Sequence, residues 1–137
     1  IGEAIVINND KLKEDFGFHL KQRGALLAKS RLFGIQFCEL FKDDLYFKLA
    51  KQANAMAMKI TKAIRNQGFN FLTESTSNQI FPILPNSIIE KLSKKYSFYV
   101  WQKIDETNSA IRLVTSWATD ENVVNQFIAD FNNSTFR

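Results

Sequence analysis

Apolar positions recur along this chain with two different periods. From Leu20 to Phe41 the positions 20, 24, 27, 31, 34, 38 and 41 alternate steps of four and three. That spacing predicts one helix, with Leu20, Gly24, Leu27, Arg31, Gly34, Cys38 and Phe41 on one face. Leu26, Phe33, Phe37 and Leu40 form a second apolar face, so burial on two sides is expected. Asp43-Asp44 marks the start of the next helix, with acidic residues at the positive end of its dipole. Its stripe is Leu45, Leu49, Ala53, Met56, Ile60 and Ile64, and Gly68 is the expected terminator. Met56 and Met58 read as core filler in this helix.

Elsewhere the pattern is that of strands and short helices. Residues 3–8 are a β-rich run ending in Asn8-Asn9-Asp10, a strand expected to need partners from outside the segment. Asn78 to Ile83 reads as a strand, with Pro82 placing it at a sheet edge or bulge. Ser87-Ile88-Ile89-Glu90 has the spacing of a capping box and predicts a short helix to about Lys95. Phe98 to Ile104 is a strand, 105–109 a polar turn, and Ala110 to Thr115 the antiparallel hairpin partner. Thr119, followed by Asp120-Glu121, caps a last helix with the stripe Val123, Val124, Phe127, Ile128 and Phe131. The expected class is α+β: a strand and two long helices, then a small antiparallel three-stranded sheet covered by helices.

Composition narrows the functional classes. With 137 residues, 45% hydrophobic and 23% charged, the chain has the balance of a domain that folds around a core. Its single cysteine cannot form an internal disulfide, which fits a reducing compartment and a cytoplasmic location. No apolar run approaches the ~20 residues that span a bilayer. The net charge of +4 comes from lysines spread beside Asp and Glu, with no arginine–aromatic cluster, so nucleic acid is not an expected partner. The chain opens on Ile1-Gly2 rather than Met, so the start of the natural protein is expected elsewhere.

Candidate chemistry is sparse. His19 is the one histidine and cannot build a metal cluster with a distant Cys38, which itself reads as an inert thiol on an apolar stripe. No Gly-rich phosphate loop and no Ser or Thr beside a base stands out. Two arginines do. Arg31 interrupts a small, apolar stripe: either it snorkels at the edge or it meets a carboxylate or phosphate. Arg112 lies in the strand Ile111–Thr115, on the face opposite Ile111, Leu113 and Thr115. There it either lies on a solvated face or offers a two-pronged fork to a carboxylate.

The segments Phe98-Tyr99-Val100-Trp101, Ile111-Arg112-Leu113-Val114-Thr115-Ser116-Trp117 and Asn78-Gln79-Ile80-Phe81-Pro82 resemble the end of threonine aldolases. Gln22 to Gly34 is similar to the helix after the family's cofactor lysine, and Gly2-Glu3-Ala4-Ile5-Val6 to the strand directly after it. The resemblance covers nearly the whole chain and leans to the branch labelled β-eliminating lyase. It implies a pyridoxal-phosphate (PLP) lyase of fold type I that splits β-hydroxy amino acids into glycine and an aldehyde, or performs β-elimination. It implies that residues 1–41 end the large cofactor domain and its connecting helix, and that 42–137 form the C-terminal small domain. Arg112 matches the arginine holding the substrate carboxylate. Arg31 matches an arginine near the cofactor phosphate at a subunit interface, with Arg23 as a further basic position. The glycine-rich run typical before that arginine is replaced here by Leu27-Ala28-Lys29-Ser30. No lysine of this chain matches the Schiff-base lysine, and no catalytic or metal-binding residue is assigned, so the segment alone is expected to be inactive. A homodimer or homotetramer is implied, without nucleic acid or membrane. The alternative reading is a non-catalytic α+β dimerisation module built on the Gly24/Gly34 helix.

Overall fold

The computed structural model describes residues 3–135. The chain divides into two compact units, Ile1–Tyr46 and Phe47–Arg137.

The first unit contains helices α1 (Phe16–Gln22) and α2 (Arg31–Phe41). The single helix expected over 20–41 is therefore two. The break has a backbone cause at Gly24, whose φ of +68° is left-handed. Ala25 N–H donates to the Leu20 carbonyl (2.9 Å) and Gly24 N–H to that of Lys21 (3.0 Å), closing α1. Gly24 ends a helix because it adopts that conformation without steric cost. The expected face running from Leu20 through Arg31 to Phe41 is lost at this break. The opening strand is absent as well: residues 3–9 are neither helix nor strand. A β-rich run needs a partner edge for its backbone groups, and the described residues provide none. No residue of α1 or α2 is buried. Cys38, expected in an apolar core, is exposed.

Helix α3 (Leu45–Asn66), which lies in the second unit from Phe47 on, turns only the later part of its expected stripe inward: Ala53, Met56, Ile60 and Ile64 are buried, with Ala57 beside them, whereas Leu45 is 42% exposed and Leu49 half-buried. Met58 is 50% exposed, because two residues from Met56 lies about 200° round the helix. Gly68, at φ +82°, terminates α3 as expected. Strands β1 (Gln79–Ile80) and β2 (Ile83–Pro85), helix α4 (Asn86–Ser93), strands β3 (Tyr99–Lys103) and β4 (Asn108–Val114), and helix α5 (Glu121–Thr135) follow. The class is α+β with a small antiparallel sheet, as expected.

β4 is the central strand. β1 and β2 pair with it in one unbroken register, Gln79 with Val114 through Pro85 with Asn108. They are thus a single strand interrupted at Pro82. Pro82 accepts from Ile111 N–H (3.1 Å) but has no N–H to return, so one rung of the ladder is missing. β3 lines the other edge of β4, with a bulge between Val100 and Gln102 that leaves Trp101 outside the one-to-one pairing. α4 starts without the expected Ser87 cap; Pro85 precedes it and no side chain closes its first turn. Asn86 instead ties that end to the β3–β4 turn, donating from its backbone to Thr107 O (2.8 Å) and from its side chain to Glu106 O (3.1 Å). Asp120 caps α5 by accepting from Asn122 N–H (2.7 Å). One face of the sheet is closed by α3, α4 and α5 around Ile111, Leu113, Ile80, Leu84, Phe127 and Phe131, all buried.

The hairpin turn carries a titratable lock. Asp105 Oδ1 accepts from the backbone and hydroxyl of Thr107 (2.7 and 2.9 Å) and the backbone of Asn108 (2.8 Å); the Asn108 amide binds both oxygens. These donors, the Asn108 side chain foremost, hold the carboxyl at about 2 against an ordinary 3.8. A carboxyl lowered by folding stabilises the fold above its unfolded value and loses that contribution as pH falls through the folded one. Acid titration of Asp105→Ala against the parent should therefore show a stability gap above pH 3.8 that closes toward about pH 2. A gap independent of pH would show that the turn does not need the charge.

Candidate functional site

The open face of the sheet carries an arrangement that suggests a ligand. β4 alternates, so Ile111 and Leu113 enter the core while Arg112 points to the opposite face. The register sets Arg112 directly across from Tyr99 on β3. On the other side, the shared register of β1 and β2 places Phe81 opposite it. The guanidinium carbon lies 5.2 Å from the Tyr99 ring centre and 5.3 Å from that of Trp101. Phe81 and Trp101 are 5.3 Å apart, ring centre to ring centre. An arginine–aromatic cluster, not expected from the linear sequence, is thus assembled by strand pairing.

No acidic side chain pairs with Arg112 among the described residues. Its Nε is shielded from solvent and has no hydrogen-bond partner, whereas the two Nη nitrogens are not enclosed in this way. A half-buried cation without a counter-ion is poised for an anion, and two parallel N–H groups match a carboxylate. Tyr99 is 70% exposed and Trp101 53% exposed, so the face is open.

Arg23 and Arg31 belong to the first unit and Arg112 to the second. Arg23 is the C-terminal cap residue of α1, and Arg31 is the first residue of α2 rather than mid-helix. Both are exposed. The N–H groups of Leu32, Phe33 and Gly34 already donate to the Lys29 and Ser30 carbonyls, so the start of α2 has few free amides for a phosphate. Gly34 has open space where a Cβ would stand, so no close approach among the described residues explains it.

A second concavity, about 370 Å³, lies between α4 and α5. Its cations are already engaged: Lys91 donates to Ser134 O (3.3 Å) and Lys95 pairs with Asp130 (2.9 Å). Lys95 and the Tyr96 hydroxyl hold the Asp130 carboxyl below the usual range. Burial and that same carboxylate push the Tyr96 phenol up to about 12. The cluster reads as a helix-to-helix tie. Among the described residues no His, Cys, Asp and Glu group could hold a metal, and no helix is long and apolar enough to cross a membrane.

PLP would need an accessible lysine for its aldehyde, a wall for its ring and donors for its phosphate. The described residues do not form such a cradle. Every lysine but the half-buried Lys59 is exposed, and Lys59 is paired with Glu121, so accessibility singles out no lysine for the aldehyde.

No family profile matches the chain. It is 29% identical over 132 residues to a low specificity L-threonine aldolase of Pseudomonas sp. (strain NCIMB 10558), covering 95% of this chain and 37% of that protein. It is 30% identical over 132 residues to the low specificity L-threonine aldolase of Pseudomonas aeruginosa, with the same coverage. A solved structure of Leishmania major threonine aldolase superposes with a TM-score of 0.84 at 38% identity, covering 94% of this chain and 38% of that one. The chain thus spans little more than a third of the length of these relatives.

Proposed function

As a relative of the threonine aldolases over nearly all of its length, this chain, we propose, is part of a PLP-dependent lyase acting on amino acids. Within it Arg112 holds the substrate's carboxylate. The observation that carries this reading is the guanidinium without a counter-ion on the open face of the sheet. Fixed on a central strand, such a group orients an amino acid about its Cα, and so sets which bond at Cα is presented for cleavage. The reaction proposed for the whole protein is Cα–Cβ cleavage of a β-hydroxy amino acid to glycine and an aldehyde, with β-elimination as the related outcome. The cofactor lysine is assigned to the part of the protein outside this chain, because the chain spans little more than a third of its relatives' length and none of its lysines matches the family's cofactor lysine. Arg31 and Arg23 are left with a phosphate or interface role that rests on their side chains alone. The single cysteine is consistent with cytoplasmic action. Incubating the full-length protein with PLP and L-threonine should release equimolar glycine and acetaldehyde. Absence of both this cleavage and β-elimination on amino-acid substrates would leave the non-catalytic module as the better reading.

A specific observation also supports contacts between copies of the protein. Leu26, Leu32 and Ile35 are 59%, 58% and 55% exposed in a unit whose helices bury no residue. Apolar surface of this kind is normally covered. The double variant Leu32→Glu/Ile35→Glu should lower the mass of the full-length protein in light scattering, as buried charge opposes association. An unchanged mass would place the subunit contact elsewhere.

A further inference from the structure

Resting on the reading of Arg112 as the carboxylate holder, we propose that Tyr99 and Trp101 are positioning residues. They form an aromatic clamp that holds the guanidinium in place of an acidic partner. An arginine on a sheet face is usually restrained by a carboxylate, and such a partner would compete with the carboxylate of a substrate. Ring faces attract the cation through their quadrupoles and leave its positive charge unneutralised. Here the two ring centres lie 5.2 and 5.3 Å from the guanidinium carbon.

Backbone geometry supports a built arrangement. Tyr99 is the direct cross-strand neighbour of Arg112, and Trp101 reaches it from the bulge between Val100 and Gln102. Bulges re-aim side chains, and this one carries the larger ring of the pair. Phe81, 5.3 Å from Trp101, supports that ring from the other side of β4. Two aromatic rings left largely exposed on an edge strand have no core to fill, since all five residues of β3 are exposed. A guanidinium held by rings also explains why its Nε has no hydrogen-bond partner. The clamp restrains the guanidinium at its shielded Nε side and leaves its two Nη nitrogens unenclosed.

The test compares ligands with and without a carboxylate on the full-length PLP-loaded protein. Trp101→Leu and Tyr99→Leu should each raise KM for L-threonine about tenfold, with a smaller change in kcat. Inhibition by glycine should weaken to match, while inhibition by 1-aminopropan-2-ol, which has no carboxylate, should not move. Trp101→Phe and Tyr99→Phe keep a ring and should restore the parent values. An unchanged amine inhibition constant also shows that the variants are folded. The clamp is overturned if the Leu variants keep the parent ratio of glycine to amine inhibition, or if the Phe variants are as impaired as the Leu variants. Arg112→Lys, run alongside, separates the two ideas. If it shifts that ratio while the Leu variants do not, the clamp fails and the carboxylate reading stands. If it leaves the ratio unmoved, both fall.

Discussion

Replacing Arg112 by Lys in the full-length protein is expected to lower kcat/KM for a β-hydroxy amino acid by about 30- to 1,000-fold. That corresponds to about 2–4 kcal/mol, the lower part of the range for a desolvated charge pair, on the expectation that the bound substrate in the full-length protein covers this face, and with the positive charge kept. Lysine fails for two reasons. Its ammonium is a compact point charge that cannot give two parallel N–H donors to one carboxylate. It is also strongly hydrated, and between Tyr99 and Trp101 it would trade water for ring contacts made at 5.2 and 5.3 Å by a planar group. Part of the loss should fall on KM, from weaker binding, and part on kcat, since a carboxylate held by one prong no longer fixes the orientation at Cα. Steady-state kinetics on the variant measure both, and an unaltered kcat/KM would remove Arg112 from substrate binding.

The largest expected effect on stability comes from Phe131→Ala. Phe131 is fully buried and packs edge-on against Phe69 (5.7 Å between centres) and stacked with Phe127 (6.5 Å). Removing a buried Phe side chain costs about 3–5 kcal/mol in lost transfer energy and residual cavity. Domains are stable by only ~5–15 kcal/mol, so the second unit would lose a large part of its margin. Both tryptophans, Trp101 and Trp117, lie in that unit, so their fluorescence reports its unfolding. The urea midpoint should fall sharply with little change in slope. A midpoint within experimental error of the parent would mean that α5 does not close the core.

The parts of the fold legible in the sequence are those where local pattern and tertiary burial agree. The stripe of α3 from Ala53 on, the β3–β4 hairpin, the inward face of β4 and the Val124, Phe127 and Phe131 side of α5 follow from period and turn chemistry, whereas Leu45 and Val123, expected in those stripes, are 42% and 56% exposed. The misread places have specific causes. Gly24 sits at helical spacing, and spacing alone does not separate a mid-helix glycine from one at φ +68° that ends the helix. Residues 3–8 have strand propensity, but a strand exists only with a partner edge. Ser87 and Glu90 have capping-box spacing, yet α4 begins at Asn86, which is held by the hairpin turn. The site was legible in part. Arg112 is visible as a charge in an apolar strand, and its face follows from alternation. Its aromatic neighbours are 11 to 31 positions away in sequence and meet it only through the register of three strands. Tyr99 and Trp101 share a strand face in the sequence, but no local signal shows that Arg112 is what they face.

The central claim, that Arg112 is the handle for an amino-acid carboxylate, is tested most directly by a crystal structure of the full-length protein with glycine bound. The expected result is both carboxylate oxygens within hydrogen-bond distance of the Arg112 guanidinium, which stays over the Tyr99 and Trp101 rings. A glycine carboxylate held by other residues, with Arg112 facing solvent or paired to an acidic side chain of the protein, would contradict it.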